Sequence, residues 1–182
     1  MTDKKITSYF GAMVLSALLS GPTQAHSDGN HKEEDGKNAR VVKAELIGYQ
    51  EVPAISSICE GQFRAKISTD DSQIEFELNY ANLEGDVQQA HIHFGQKDVN
   101  GGVSIFLCSN LSNGPAGTPL CPGPRSGTVT GTRVAANVIG PAAQGLAAGE
   151  LEELIEAIHA GKAYANVHST LYPAGECRGQ IK

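Results

Sequence analysis

Three histidines raise the question of chemistry. "AHIHFG", residues 90–95, sets His91 and His93 two apart in a strand-like stretch, and "YANVHS" places His168 on another. A strand alternates its side chains, so residues i and i+2 share a face. His91 and His93 therefore point one way, and Ala90, Ile92 and Phe94 the other. The apolar side reads as core, and the histidine side as outward-facing or lining a polar cleft. Cβ atoms two apart stand roughly 6.5–7 Å from each other at the ~3.3 Å rise of a strand. Two imidazoles can close on one ion from there at metal–nitrogen distances of ~2.0–2.1 Å. In the second segment Tyr164, Asn166 and His168 share one face, with Ala165 and Val167 on the other. If the two strands lie side by side, three imidazoles meet. Such a set suits copper, with zinc as the alternative. The reading carries a condition: the nitrogens of His91, His93 and His168 must approach to about 4 Å of one another, given those bond lengths. Two unrelated surface histidines would satisfy the H-x-H pattern equally well.

Two isolated charges join the candidates. Glu51, in "GYQEVPAI", could be the carboxylate that orients a ligand imidazole. Arg178, in "GECRGQI", could guide an anion to the metal or pair with Glu51. His159 sits near the end of a helical stretch, where a partly charged imidazole is favoured by the helix dipole, and reads as structural or solvent-facing. No G-x-S-x-G motif, nucleotide-binding glycine loop or internal repeat accompanies them.

These residues need a scaffold of short strands. "GQFRAKIS" alternates Phe63, Ala65 and Ile67 against polar neighbours, and "SQIEFELNYANL" does the same with Ile74, Phe76 and Leu78. Asp70 and Asp71 between them signal a hairpin turn. "VVKAELIG", "DVQQAHIHFG", "GGVSIFLC", "SGTVTGTRV", "KAYANVHS" and "GECRGQIK" supply further strands, punctuated by Gly and Pro. One segment differs. In "GELEELIEAIHAGK", Leu151, Leu154, Ile155 and Ile158 recur at helical spacing, acids crowd the start, and Gly161 stands where a C-terminal cap belongs. The pattern predicts an all-β, antiparallel Greek-key sandwich or barrel with one short helix.

The chain's start reads as an export signal. Lys4 and Lys5 precede an apolar run from about Tyr9 to Leu19, and Thr23-Gln24-Ala25 is an acceptable cleavage site. The run is shorter than the roughly 18 residues of a membrane span. Residues 1–25 are thus expected to be a removed signal peptide, residues 26–40 a charged disordered linker and residues 41–182 the folded domain, secreted or periplasmic. His26 and His31 lie in the linker beside several acids and could help capture an ion. The chain carries 14 basic and 20 acidic residues. Without Lys4, Lys5 and Asp3 these become 12 and 19, a net charge of −7, which argues against nucleic acid as a partner.

Four cysteines in an exported chain favour disulfides. Cys108 and Cys121 flank a loop rich in Gly, Pro and Asn, so a local bridge is the simplest pairing, and Cys59 then pairs with Cys177. A four-thiolate zinc site, the alternative, lacks a C-x-x-C spacing.

Taken together, "LIGYQEVPAI", "AHIHFG" with "NGGVSIFL", "AGKAYANVHS" and "YPAGECRGQI" resemble the CHRD (chordin-type) domain in content and order, from about Val41 to Lys182. Ala54 stands where that family often has a second proline, and Cys177 where it often has an apolar residue. The resemblance implies an extracellular or periplasmic all-β domain. "HIHFG" and "GECRGQI" are also similar, more weakly, to segments of copper/zinc superoxide dismutases. Carried over, that likeness would make His91, His93 and His168 copper ligands and Arg178 a guide for superoxide. The histidines for a bridging ligand and a zinc site are missing.

The reading that follows is an exported protein that binds a metal ion, copper first, through three histidines, with superoxide-dismutase-like redox activity as its extension. The alternatives are a non-enzymatic secreted interaction module and a zinc hydrolase or hydratase using a water on three histidines.

Overall fold

The computed structural model describes residues 40–182. The segments expected to be an export signal and a linker bearing His26 and His31 lie outside the described residues.

The hairpin expected from alternation is present. Strands β2 (Glu60–Ile67) and β3 (Gln73–Ala81) bury every second side chain and pair from Glu60↔Ala81 to Ile67↔Ile74. Strand β1 (Val41–Ile47) pairs along the whole of β2. Strand β6 (Gly127–Val134) does so along β3. A second group comprises β4 (Val87–Phe94), β5 (Gly102–Ser109), β7 (Ala163–Ser169) and β8 (Cys177–Gln180). The order across the sheet is β5-β4-β7-β8-β1-β2-β3-β6, with every neighbouring pair antiparallel.

The two groups of four join sparsely. Between β1 and β8 the ladder is one residue pair, Ile47↔Arg178, with Lys43 and Lys182 exchanging two backbone hydrogen bonds further along. On the other side the seam between β5 and β6 is stitched by a side chain. Arg133 donates from Nε to the Phe106 carbonyl and from Nη2 to the Leu107 carbonyl, both at 2.9 Å. Beyond β6 a single bridge links Ile105 to Val138. With β6 beside β5, the run β7-β4-β5-β6 has the Greek-key order, three successive strands with the fourth returned to the first.

Helix α1 (Leu151–His159) buries Leu151, Leu154, Ile155 and Ile158, the four residues marked by spacing. It ends as composition suggests. Gly161, at φ +67°, donates to Ile158, and Lys162 donates back to Ala157, which is the Schellman arrangement. Three short 3-10 turns, Gly48–Gln50, Ala135–Asn137 and Ala142–Gln144, are additional to the expected elements.

The cysteines pair as Cys59–Cys177 and Cys108–Cys121, with Cα separations of 6.1 and 5.0 Å. The first bridge ties the entry of β2 to β8 and so fastens one strand group to the other. Among the described residues no helix is long and apolar enough to cross a membrane.

Candidate metal centre

Strand pairing carries the three histidines together. β4 and β7 are antiparallel neighbours whose register sets His91 opposite Asn166, His93 opposite Tyr164 and Gln89 opposite His168. Side chains directly across a ladder share a face. The face is therefore made by His91 and His93 from β4, Tyr164, Asn166 and His168 from β7, Phe106 from β5, and Arg178 from β8. Small register shifts between β4 and β5 at Ala90/His91 and Ile92/His93 re-aim both histidines, as bulges do.

Of the two readings that alternation left, outward or lining a polar cleft, the outward one does not hold. Every residue of β7 is buried, and His91, His93 and His168 are only 2, 7 and 5% exposed. Three segments lie against this face: Glu51 beside Asn166, the 95–101 loop bonded to His93 and Arg178, and the turn whose Pro173 carbonyl accepts from His168. Both sides of β4 and β7 are therefore internal, one apolar and one built of imidazoles.

One nitrogen from each ring lies within 4.8 Å of the other two, and His91 Nδ1 and His168 Nε2 are 3.1 Å apart. Donors around a tetrahedral ion at ~2.05 Å sit roughly 3.4 Å apart. The contact between His91 and His168 already has ligand spacing. The widest gap, which can exceed the 4 Å of the sequence-based condition, closes by about 1.4 Å shared between two rings, given those bond lengths.

Hydrogen bonding fixes which nitrogens face inward. His93 Nδ1 donates to the Gly101 carbonyl at 2.9 Å, and His168 Nδ1 to the Pro173 carbonyl at 3.1 Å. A carbonyl only accepts, so both rings carry their proton on Nδ1, which leaves His93 Nε2 without a partner and makes His168 Nε2 the acceptor of a hydrogen bond from His91 Nδ1. His91 turns Nδ1 toward His168. His91 Nε2 and His93 Nε2 are buried and have no hydrogen-bond partner. Burial also keeps the rings neutral. It pushes the pKa of His91 down to about 2, helped by its two neighbours, and those of His93 and His168 down to about 4. Protons therefore do not compete for these lone pairs near neutrality. Three neutral rings, two of them with an orphaned nitrogen in the interior, fit a metal ion by donor chemistry and by the polar atoms they leave unsatisfied.

Around them sits a stack that sequence reading did not foresee. The Tyr164 ring lies on His93, centroids 4.7 Å apart and 8° from parallel, and the Arg178 guanidinium lies 3.5 Å from the centroid of the Tyr164 ring. Arg178 is 2% exposed and gives its donors to the covering loop: Nη2 to the carbonyls of Gln96 (3.1 Å) and Val99 (2.8 Å), Nη1 to Asn100 Oδ1 (3.3 Å). The candidate anion guide thus fastens the loop whose Gly101 carbonyl orients His93. Among the described residues no ion pair joins it to Glu51.

Glu51 is buried too. Its Oε2 accepts from Asn166 Nδ2 at 3.4 Å, and no hydrogen bond among the described residues connects it to an imidazole. Burial raises its pKa to about 7, against the opposing pull of Arg178. Gly175 makes room for it. At φ +137° the position suits glycine, and a Cβ there would come 2.6 Å from Glu51 Oε1. Asn166, Tyr164 and the carbonyls of Gly101 and Pro173 complete the surroundings. Only Asn166 and Tyr164 left a sequence signal, by alternating with His168 on one face. His159 stays apart, at the end of α1.

A β-domain with a covered three-histidine cluster is the class that fold and site define. The family model of the CHRD domain matches residues 42–181, and the chain belongs to that family. No curated protein and no solved structure matches the chain, so the likeness to copper/zinc superoxide dismutases rests on the quoted residues alone.

Proposed function

We propose that this CHRD-domain protein is exported and holds one copper ion through His91, His93 and His168. The observation that carries the reading is the convergence of three buried, neutral imidazoles, two with unpartnered Nε2 atoms. Buried polar atoms in folded proteins are normally satisfied, so these call for a ligand. Copper is preferred to zinc because the donors are all imidazole, with no fourth His, Cys, Asp or Glu in the cluster among the described residues. Two disulfides and the CHRD fold support an oxidising, extracytoplasmic location. Superoxide dismutation is the redox extension of the same site. It requires an anion to reach the metal, and the engagement of Arg178 with the covering loop favours holding the ion over turning it over.

Copper titration of wild type against His93→Ala, followed by a superoxide assay on the loaded protein, tests this. One equivalent bound by wild type and none by the variant is expected. Unchanged stoichiometry in the variant would sink the site. Binding without turnover identifies holding or delivery as the role.

A further inference from the structure

We infer that the site is built for monovalent copper, Cu(I), in three-coordinate form, and discriminates against Cu(II) and Zn(II). The inference rests on the three-histidine reading above and names the oxidation state it takes.

Three observations carry it. First, among the described residues the cluster supplies three nitrogens and no fourth donor of His, Cys, Asp or Glu type. Zn(II) in proteins is almost always four-coordinate, and a three-histidine zinc site completes its shell with water. Second, bulk water, the source of that fourth ligand, is kept away. His91 and His93 have ring nitrogens both buried and unpartnered, and the three histidines are 2, 7 and 5% exposed beneath their covering loops. Third, all the donors are neutral, and the nearest stacked charge is a cation, Arg178 on the far face of the Tyr164 ring that lies on His93. An ion taken from water into such a site carries its charge uncompensated by a ligand carboxylate or thiolate. The Born cost of that transfer rises with the square of the charge, so a divalent ion bears about four times the penalty of a monovalent one. Cu(I), a d10 ion content with three donors, meets the geometry and the charge together.

The remaining carboxylate does not reverse this. Glu51 is bonded to Asn166 and lies outside the cluster of the three histidines.

The test is anaerobic competition for wild-type protein between Cu(I), presented as its bicinchoninate complex, and Cu(II) or Zn(II), presented as their glycine complexes. Ag(I), monovalent and not redox-active under these conditions, serves as an independent probe. X-ray absorption on the Cu(I)-loaded protein reads the coordination number without relying on a variant. Binding of Cu(I) at least a hundredfold tighter than Cu(II) and Zn(II), Ag(I) displacing Cu(I), and three nitrogen scatterers near 2.0 Å (the usual metal–imidazole distance) are expected. A Cu(II) or Zn(II) affinity within a hundredfold of that for Cu(I), lost in His93→Gln, would overturn the preference while leaving the histidine site standing. Metal binding indifferent to His93→Gln and His168→Gln, in variants that keep the wild-type circular dichroism, would overturn the site itself and this inference with it.

Discussion

Lowering the pH of the metal-free protein pits the histidines against Glu51. Each buried imidazole has a folded-state pKa below its ordinary 6.5, about 2 for His91 and about 4 for His93 and His168. As pH falls through 6.5 the unfolded chain takes up protons that the fold refuses, so stability is lost from there down to about pH 4 for His93 and His168 and down to about pH 2 for His91. At pH 5 each ring contributes a loss of about 2 kcal/mol, or about 6 kcal/mol together, at 1.36 kcal/mol per pKa unit. Glu51 works in the opposite sense. Its folded-state pKa of about 7, against 4.5, penalises the fold as pH rises, fully so above 7. Going from pH 8 to pH 5 returns about 2.5 kcal/mol of that penalty. The expected net is a loss of about 3–4 kcal/mol, a large share of the 5–15 kcal/mol typical of a domain. Urea denaturation of chelator-treated protein at pH 8, 7, 6 and 5 measures it. Glu51→Gln removes the opposing group. It should be about 3 kcal/mol more stable than wild type at pH 8, only about 1 kcal/mol at pH 5, and should lose the full 6 kcal/mol between them. A wild-type free energy flat from pH 8 to 5, or a variant curve running parallel to it, would refute the reasoning.

The rest of the fold makes its own tests. Arg133→Met keeps the stem but removes the donors for the Phe106 and Leu107 carbonyls. A loss of about 2–6 kcal/mol in chemical denaturation is expected from about 1–3 kcal/mol per stranded acceptor. Gly175→Ala should cost at least about 1–3 kcal/mol in backbone strain and also displace Glu51. A variant as stable as wild type would contradict the crowding at that turn. The two disulfides close loops of 118 and 13 residues. On the chain-entropy relation, a double serine variant of Cys59 and Cys177 should lose about 5 kcal/mol, and one of Cys108 and Cys121 about 3 kcal/mol. Equal losses would mean that effects other than loop closure dominate.

Local signals in this sequence were reliable where local physics decides. Alternation located the β2–β3 hairpin, and helical spacing picked out the four buried residues of α1. Strand alternation put His91 and His93 on one face and grouped His168 with Asn166 and Tyr164. What alternation could not reveal is what lies above a face. The histidine side is covered because loops distant in sequence fold over it, held by Arg178 to the 95–101 loop and by Asn166 to Glu51. Those contacts span 79 and 115 residues and have no periodicity to betray them. Glu51 was legible as an unusual charge in a strand-like context. Its actual partner, Asn166, was fixed by the tertiary register of β7 and not by any local spacing.

The sparse joints between the two strand groups bear on how a sealed site is ever filled. Opening costs least where the fewest backbone bonds must break. Here those places are the single Ile47–Arg178 pair on one side and the Arg133 stitch on the other, not the full ladders that hold β4 to β7. Slow amide exchange should persist through β4 and β7 while Ile47 and the Phe106–Val138 seam exchange first. The sheet can then breathe at its joints with the histidine strands still paired, while an ion reaches the imidazole face through the segments over it, above all the 95–101 loop tethered by Arg178. Entry and release would be set by that tether, and the seams would only loosen the strand groups beneath it. The Cys59–Cys177 bridge, which crosses one of those seams, would damp the breathing.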